Sequence, residues 1–164
     1  MKGPSAFLGA AIGKVPVITV DTSIAVNSSY LRERRLLQGS VMLLSLIPIS
    51  AGLAGVWLGP AMVRIGDSNI SADSHFRYLS GLLLAIGLCF WRLVPTIERE
   101  GRAARLLTLI VFIGGLARLA SLTGLGLPSL PMMGGLAMEL VVTPLLCFWQ
   151  MRIARISGSI ARPI

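Results

Sequence analysis

The chain has 164 residues, 54% of them hydrophobic and 13% charged, with a formal net charge of +8 and a mean hydropathy of +0.79. Soluble domains carry about 25% charged residues, so this composition cannot cover a water-facing globule and the implied solvent is a bilayer. The basic excess flanks apolar runs and does not interleave with aromatic residues along a face. It therefore fits membrane anchoring and argues against nucleic acid as a partner.

Residues 1–35 read as a cytoplasmic arm, flexible or docked on a neighbour. Its start, "PSAFLGAAIG", has the look of a short signal core. No basic cluster precedes it, Lys14 and Pro16 interrupt it, and export would carry Arg32, Arg34 and Arg35 to the wrong side. The transmembrane domain is predicted over 36–155, followed by a short cytoplasmic tail, 156–164.

Four apolar runs have the length of about 20 residues that a membrane helix needs. They are Leu36–Met62, Phe76–Val94, Ala104–Thr123 and Pro131–Met151. The predicted fold is thus all-α, a four-transmembrane-helix bundle with short loops. Asp73 or Ser74 is the expected N-cap of the second span, and Pro128 and Pro131 bracket the third turn. Lys2, Lys14, Arg32, Arg34, Arg35, Arg92, Arg99, Arg102, Arg105, Arg152, Arg155 and Arg162 fall on one side, against Arg64 and Arg77 on the other. The bias of basic residues toward the cytoplasm predicts both termini inside.

Between helices, small residues matter more than leucine, because lipid tails are as apolar as leucine. Gly55 and Gly59, Gly81, Gly114 and Gly135 are the expected packing positions of the successive spans. Three charges share such faces: Arg77, Arg118 and Glu139. Depth along the helices, about 1.5 Å per residue, puts all three in the outer half, with Asp73 and His75 just above Arg77. Arg118 is the only charge between Leu106 and Met138, and it becomes tolerable if Glu139 faces it. Arg77 is then a second donor to Glu139 or to backbone carbonyls. Pro144 frees the carbonyl of Leu140 beside this cluster. The cluster reads either as a lock between helices or as a polar pocket for an anionic headgroup, a small acid or protons. Glu139→Gln is accordingly expected to harm folding more than Glu98→Gln.

Catalytic patterns do not emerge. The single histidine rules out a haem held by two histidines of this chain. There is no GxSxG, HExxH, Walker or GxGxxG motif. Cys89 and Cys147 stand in separate apolar runs, with no metal-ligand spacing. No cofactor, metal site or catalytic residue is expected.

"SHFRYLSGLLLAIGL", "GGLARLASL" and "LAMELVVTPLL", in that order over four spans, resemble a bacterial family of small membrane proteins whose domain has no assigned function. The resemblance runs from about Leu37 to Arg155. It implies a multi-pass protein of the bacterial inner membrane and carries over Arg77, Arg118 and Glu139 as the family's polar positions. The expected role is that of a non-enzymatic accessory or assembly subunit, in contact with membrane lipids and a larger membrane complex. The alternatives are a small carrier or proton path using the Arg/Glu cluster, and a quinone- or lipid-linked redox protein.

Overall fold

The computed structural model describes residues 18–63, 69–125 and 129–160, with side chains over 28–62, 69–122 and 129–158. Helix α1 is Ile18–Leu58, followed by a 3-10 turn at Gly59–Val63; α2 is Ile70–Leu93, with a 3-10 turn at Val94–Thr96; α3 is Gly101–Leu125. The last span joins α4 (Leu130–Ala137), a wider π turn (Met138–Val142) and α5 (Thr143–Ile160). Four helical segments are long and apolar enough to cross a membrane: Ser28–Met62, Ile70–Thr96, Gly101–Leu122 and Leu130–Gly158.

Three boundaries differ from expectation, and one is that α5 continues to Ile160, past the predicted span end at Met151 and into the predicted tail 156–164. The helix that holds the first span begins at Ile18, inside the predicted arm; residues 1–17 lie outside the described residues. No glycine or proline occurs between Val17 and Gln38, and adding residues to an existing helix costs far less than starting one. With 41 residues, α1 is about 61 Å long, roughly twice the ~30 Å hydrocarbon core. Helix α2 starts above Asp73: its N-cap is Asn69, whose side chain accepts from the Ala72 amide at 2.8 Å. Asp73 lies in its first turn, where a negative charge opposes the helix dipole.

Neighbours in the bundle are α1 and α2, α2 and α3, α3 and α5, and α5 and α1, with no diagonal contacts among the described residues. The α1–α2 pair is the closest. An ideal Cβ on Gly52 would stand 2.8 Å from Leu84 Cα, and one on Gly87 would stand 3.0 Å from the Ile49 amide nitrogen. Gly55 lies directly against Ser80. The Ser80 hydroxyl donates back to Phe76 O at 2.8 Å, so it packs there without needing an interhelical partner. Positions 49, 52, 55 and 59 of the first span meet 87, 84, 80 and 77 of the second, an antiparallel seam between the last part of the first span and the middle of α2. Of the predicted packing glycines, Gly55 and Gly59 belong to this seam. Gly81 has its nearest neighbour, Val56 Cγ2, only at 4.0 Å, and Gly114 faces open space. The adjacent Gly115 takes the role assigned to Gly114, because one residue turns the helix face by about 100°. Gly52 and Gly87 carry packing that the small-residue pattern did not single out.

The apolar core sits at the end of the bundle where α2 passes to α3. Leu37, Val41, Ile97 and Ile153 are buried together, with Tyr30, Phe90, Val94, Leu146 and Trp149 around them. The other end is open: no Cα of α4 or the π turn comes within 8 Å of α1 or α2. A Cβ at Gly52 has to displace backbone. Gly52→Ala is therefore expected to lower thermal stability in detergent by about 1–3 kcal/mol, while Gly114→Ala leaves it unchanged, as read by unfolding monitored through tryptophan fluorescence.

Candidate functional site

The polar residues of the spans gather in three places. The first joins α3 to the last span. Arg118 Nη2 lies 3.5 Å from Glu139 Oε1, and Arg118 Nη1 points at Met132 Sδ, 3.9 Å away. Glycines make this approach feasible. A Cβ on Gly115 would stand 2.9 Å from Glu139 Cβ, and one on Gly135 would stand 3.0 Å from Arg118 Nη1. Glu139 sits in the π turn, where the Thr143 amide and hydroxyl both donate to Met138 O, the hydroxyl at 2.8 Å. Pro144 is the local cause: in a regular helix its ring would collide with the carbonyl of Leu140, and the wider turn relieves that clash. The predicted Arg118–Glu139 pair is therefore present, on an irregular stretch of helix. The Glu139 side chain is 16% exposed and Arg118 is 40% exposed; Glu139 Oε2 is enclosed with no hydrogen-bond donor.

Arg77 is not part of this pair. Its Nε lies 2.8 Å from Asp73 Oδ2, one helical turn away, and its Nη1 donates to Val56 O at 2.6 Å and Trp57 O at 3.1 Å. Those carbonyls belong to the last turn of α1, which has no helical partners for them. Gly59, with φ +60, ends the helix there; a Cβ at that position would fall 2.6 Å from Asp73 Oδ1 and 2.7 Å from Arg77 Nη2. Of the two acceptors expected for Arg77, the carbonyls are the ones it uses. The reason is geometric: α4 stands away from α2, whereas the end of α1 carries partial negative charge beside it. Arg77 thus caps α1 with a side chain from α2. His75 is exposed nearby.

The third cluster holds the α2–α3 link. Glu98, 8% exposed, pairs with Arg34 Nη2 at 2.9 Å. Gln38 Nε2 donates to Val94 O at 3.0 Å and Pro95 O at 3.3 Å, and Arg34 Nη2 reaches Pro95 O at 3.3 Å. From α5, Gln150, 1% exposed, donates to Ile97 O at 2.8 Å. Arg152 adds a second α5–α1 tie to Glu33 at 3.3 Å. Reading by charge alone missed this cluster, because Glu98 lies in a run of charges that resembles an ordinary solvated loop. A signal was available: Gln38 and Gln150 are uncharged polar residues beside long apolar runs, and such residues need internal partners.

Cys89 and Cys147 are both free thiols. Among the described residues no group of three His, Cys, Asp or Glu side chains comes together. The arrangement as a whole joins helices: each polar cluster ties side chains on one span to groups on another.

The geometry reverses the expected ranking of the two glutamates. Glu98 is more enclosed than Glu139, with 5% against 16% of its side chain exposed, and its pair is shorter. Glu98→Gln is expected to lower the melting temperature in detergent more than Glu139→Gln. Gln150→Leu leaves the Ile97 carbonyl without its donor, an effect of about 1–3 kcal/mol, measurable in the same unfolding experiment.

A family model described as a domain of unknown function, DUF4345, matches residues 36–150. No curated protein and no solved structure matches the chain. The matched segment runs from the interior of α1 to Gln150 and contains all three polar clusters except Arg34, Glu33 and Arg152. The chain belongs to the DUF4345 family.

Proposed function

We propose that this protein is a multi-pass protein of the bacterial cytoplasmic membrane, with both termini in the cytoplasm, that serves without chemistry of its own as an accessory or assembly subunit of a larger membrane complex. Four span-length helices support the membrane assignment. The concentration of arginine at the α2–α3 end supports the orientation. The observation that carries the partner reading is a pair of uncovered glycines on adjoining spans. Gly114 on α3 and Gly134 on α4 have no atom within 4 Å of where a Cβ would stand. They lie on neighbouring elements that α1 does not approach. Uncovered small residues are where a further helix can come close.

The rival reading, a small carrier or proton path, draws on Glu139, which pairs a half-exposed arginine from a π turn. Discontinuous helices beside ionisable residues form the substrate sites of several transporters. In sealed vesicles that reading requires a proton or solute flux that Glu139→Gln abolishes.

Cysteine placed at Gly114 or Gly134 is expected to cross-link in native membranes to one recurring partner protein. Gly114→Leu with Gly134→Leu should keep the monomer's melting temperature while losing that product. Cross-links to lipid alone, or a product unaffected by the leucines, contradict the accessory role.

A further inference from the structure

The α2–α3 end carries far more positive charge than the fold consumes. Glu98 and Glu33 there are taken by Arg34 and Arg152. Arg32, Arg35, Arg92, Arg102, Arg105 and Arg155 are exposed, and none of them has an ion pair among the described residues. They come from all four spans. Their levels along the bundle agree as well: Gly101 at the start of α3 lies against Gln150 of α5, where a Cβ would stand 3.4 Å from Nε2. That contact places Arg102, Arg105 and Arg155 within about two and a half helical turns of one another along the bundle.

What adjoins these arginines selects the partner. Large apolar side chains begin at or near each one and are themselves exposed: Leu36 beside Arg35, Trp91 beside Arg92, Leu106 beside Arg105, and Phe148 two turns from Arg155. A soluble polyanion would satisfy the guanidinium groups and leave that apolar collar in water. An anionic phospholipid satisfies both, with phosphate on arginine and acyl chains along the helix shafts. Basic residues at the cytoplasmic edge attract anionic lipids, and guanidinium meets phosphate with paired, charge-assisted hydrogen bonds.

We propose that this arginine ring is a binding surface for the headgroups of anionic phospholipids. The inference rests on the reading that the helices lie in a bilayer, and the two are separable by experiment. The purified full-length chain in neutral detergent micelles is supplied with phosphatidylglycerol, phosphatidylcholine or inorganic phosphate. Bound lipid is counted by native mass spectrometry and stability is read as the melting temperature. Phosphatidylglycerol is expected to remain bound and to raise the melting temperature, with phosphatidylcholine and phosphate doing neither. The variant R102Q/R105Q/R155Q, altered only at exposed unpaired side chains, should melt like wild type without lipid and bind phosphatidylglycerol about tenfold more weakly or worse. An equal response to phosphatidylcholine, the same stabilisation by phosphate alone, or undiminished lipid binding by the triple variant each overturns the proposal. Release of the chain from membranes by alkaline carbonate would instead overturn the spanning reading.

Discussion

Helix ends inside so apolar a bundle need partners within the protein for their free carbonyls, and that constraint organises the structure. Backbone groups are satisfied along the helices. Where a helix ends, turns or breaks, a side chain from another helix fills the gap. Arg77 of α2 caps the last carbonyls of α1. Gln38 and Arg34 of α1 and Gln150 of α5 hold the carbonyls of the α2–α3 link. Thr143 closes the π turn that carries Glu139. Except at the π turn, whose bond stays within the last span, the bonds that satisfy these carbonyls also join the spans, so helix termination and helix association are met together.

The two ends of the bundle follow different rules. At the α2–α3 end, α1, α2, α5 and the α2–α3 link converge on a small apolar core sealed by Glu98, Gln38 and Gln150. At the other end, α1 and α2 stay locked through Gly52, Gly55 and Gly59, while Arg118 and Glu139 hold α3 to the π turn, and α4 and the π turn stand away from α1 and α2. Uncovered glycines lie on α3 and α4 at Gly114 and Gly134, and also at the closed end at Gly39 and Gly158. The closed end is where unpaired arginines lie. The partner helix is accordingly assigned to the α3–α4 face and the lipid headgroups to the arginine end.

Much of this was legible beforehand. Four spans follow from hydropathy and length, and the Arg118–Glu139 pair follows from the cost of leaving either charge alone in an oily run. The disturbed helix near Pro144 follows from its missing amide and its bulky ring. For Arg77 the sequence leaves two acceptors, Glu139 and backbone carbonyls, and only the structure chooses the carbonyls, because depth along a helix says nothing about which way neighbouring helices lean. The glycine pattern found the α1 face and missed its opposite number: Gly87 matters because Ile49 lies against it, which no spacing within α2 reveals.

Hydropathy, the placement of arginines and the chemistry of proline are properties of the chain taken in order, and they determined the number of spans, the predicted orientation and the existence of an opposite-charge pair between the last two spans. The remaining decisions are distances between residues far apart in sequence. Whether Glu98 is a solvated loop charge or an enclosed one depends on Arg34 arriving from α1. Whether Gly114 or Gly115 bears the contact depends on a rotation of α3 by a single residue. Such choices are made by how closely backbones can approach, and that is a property of the assembled bundle.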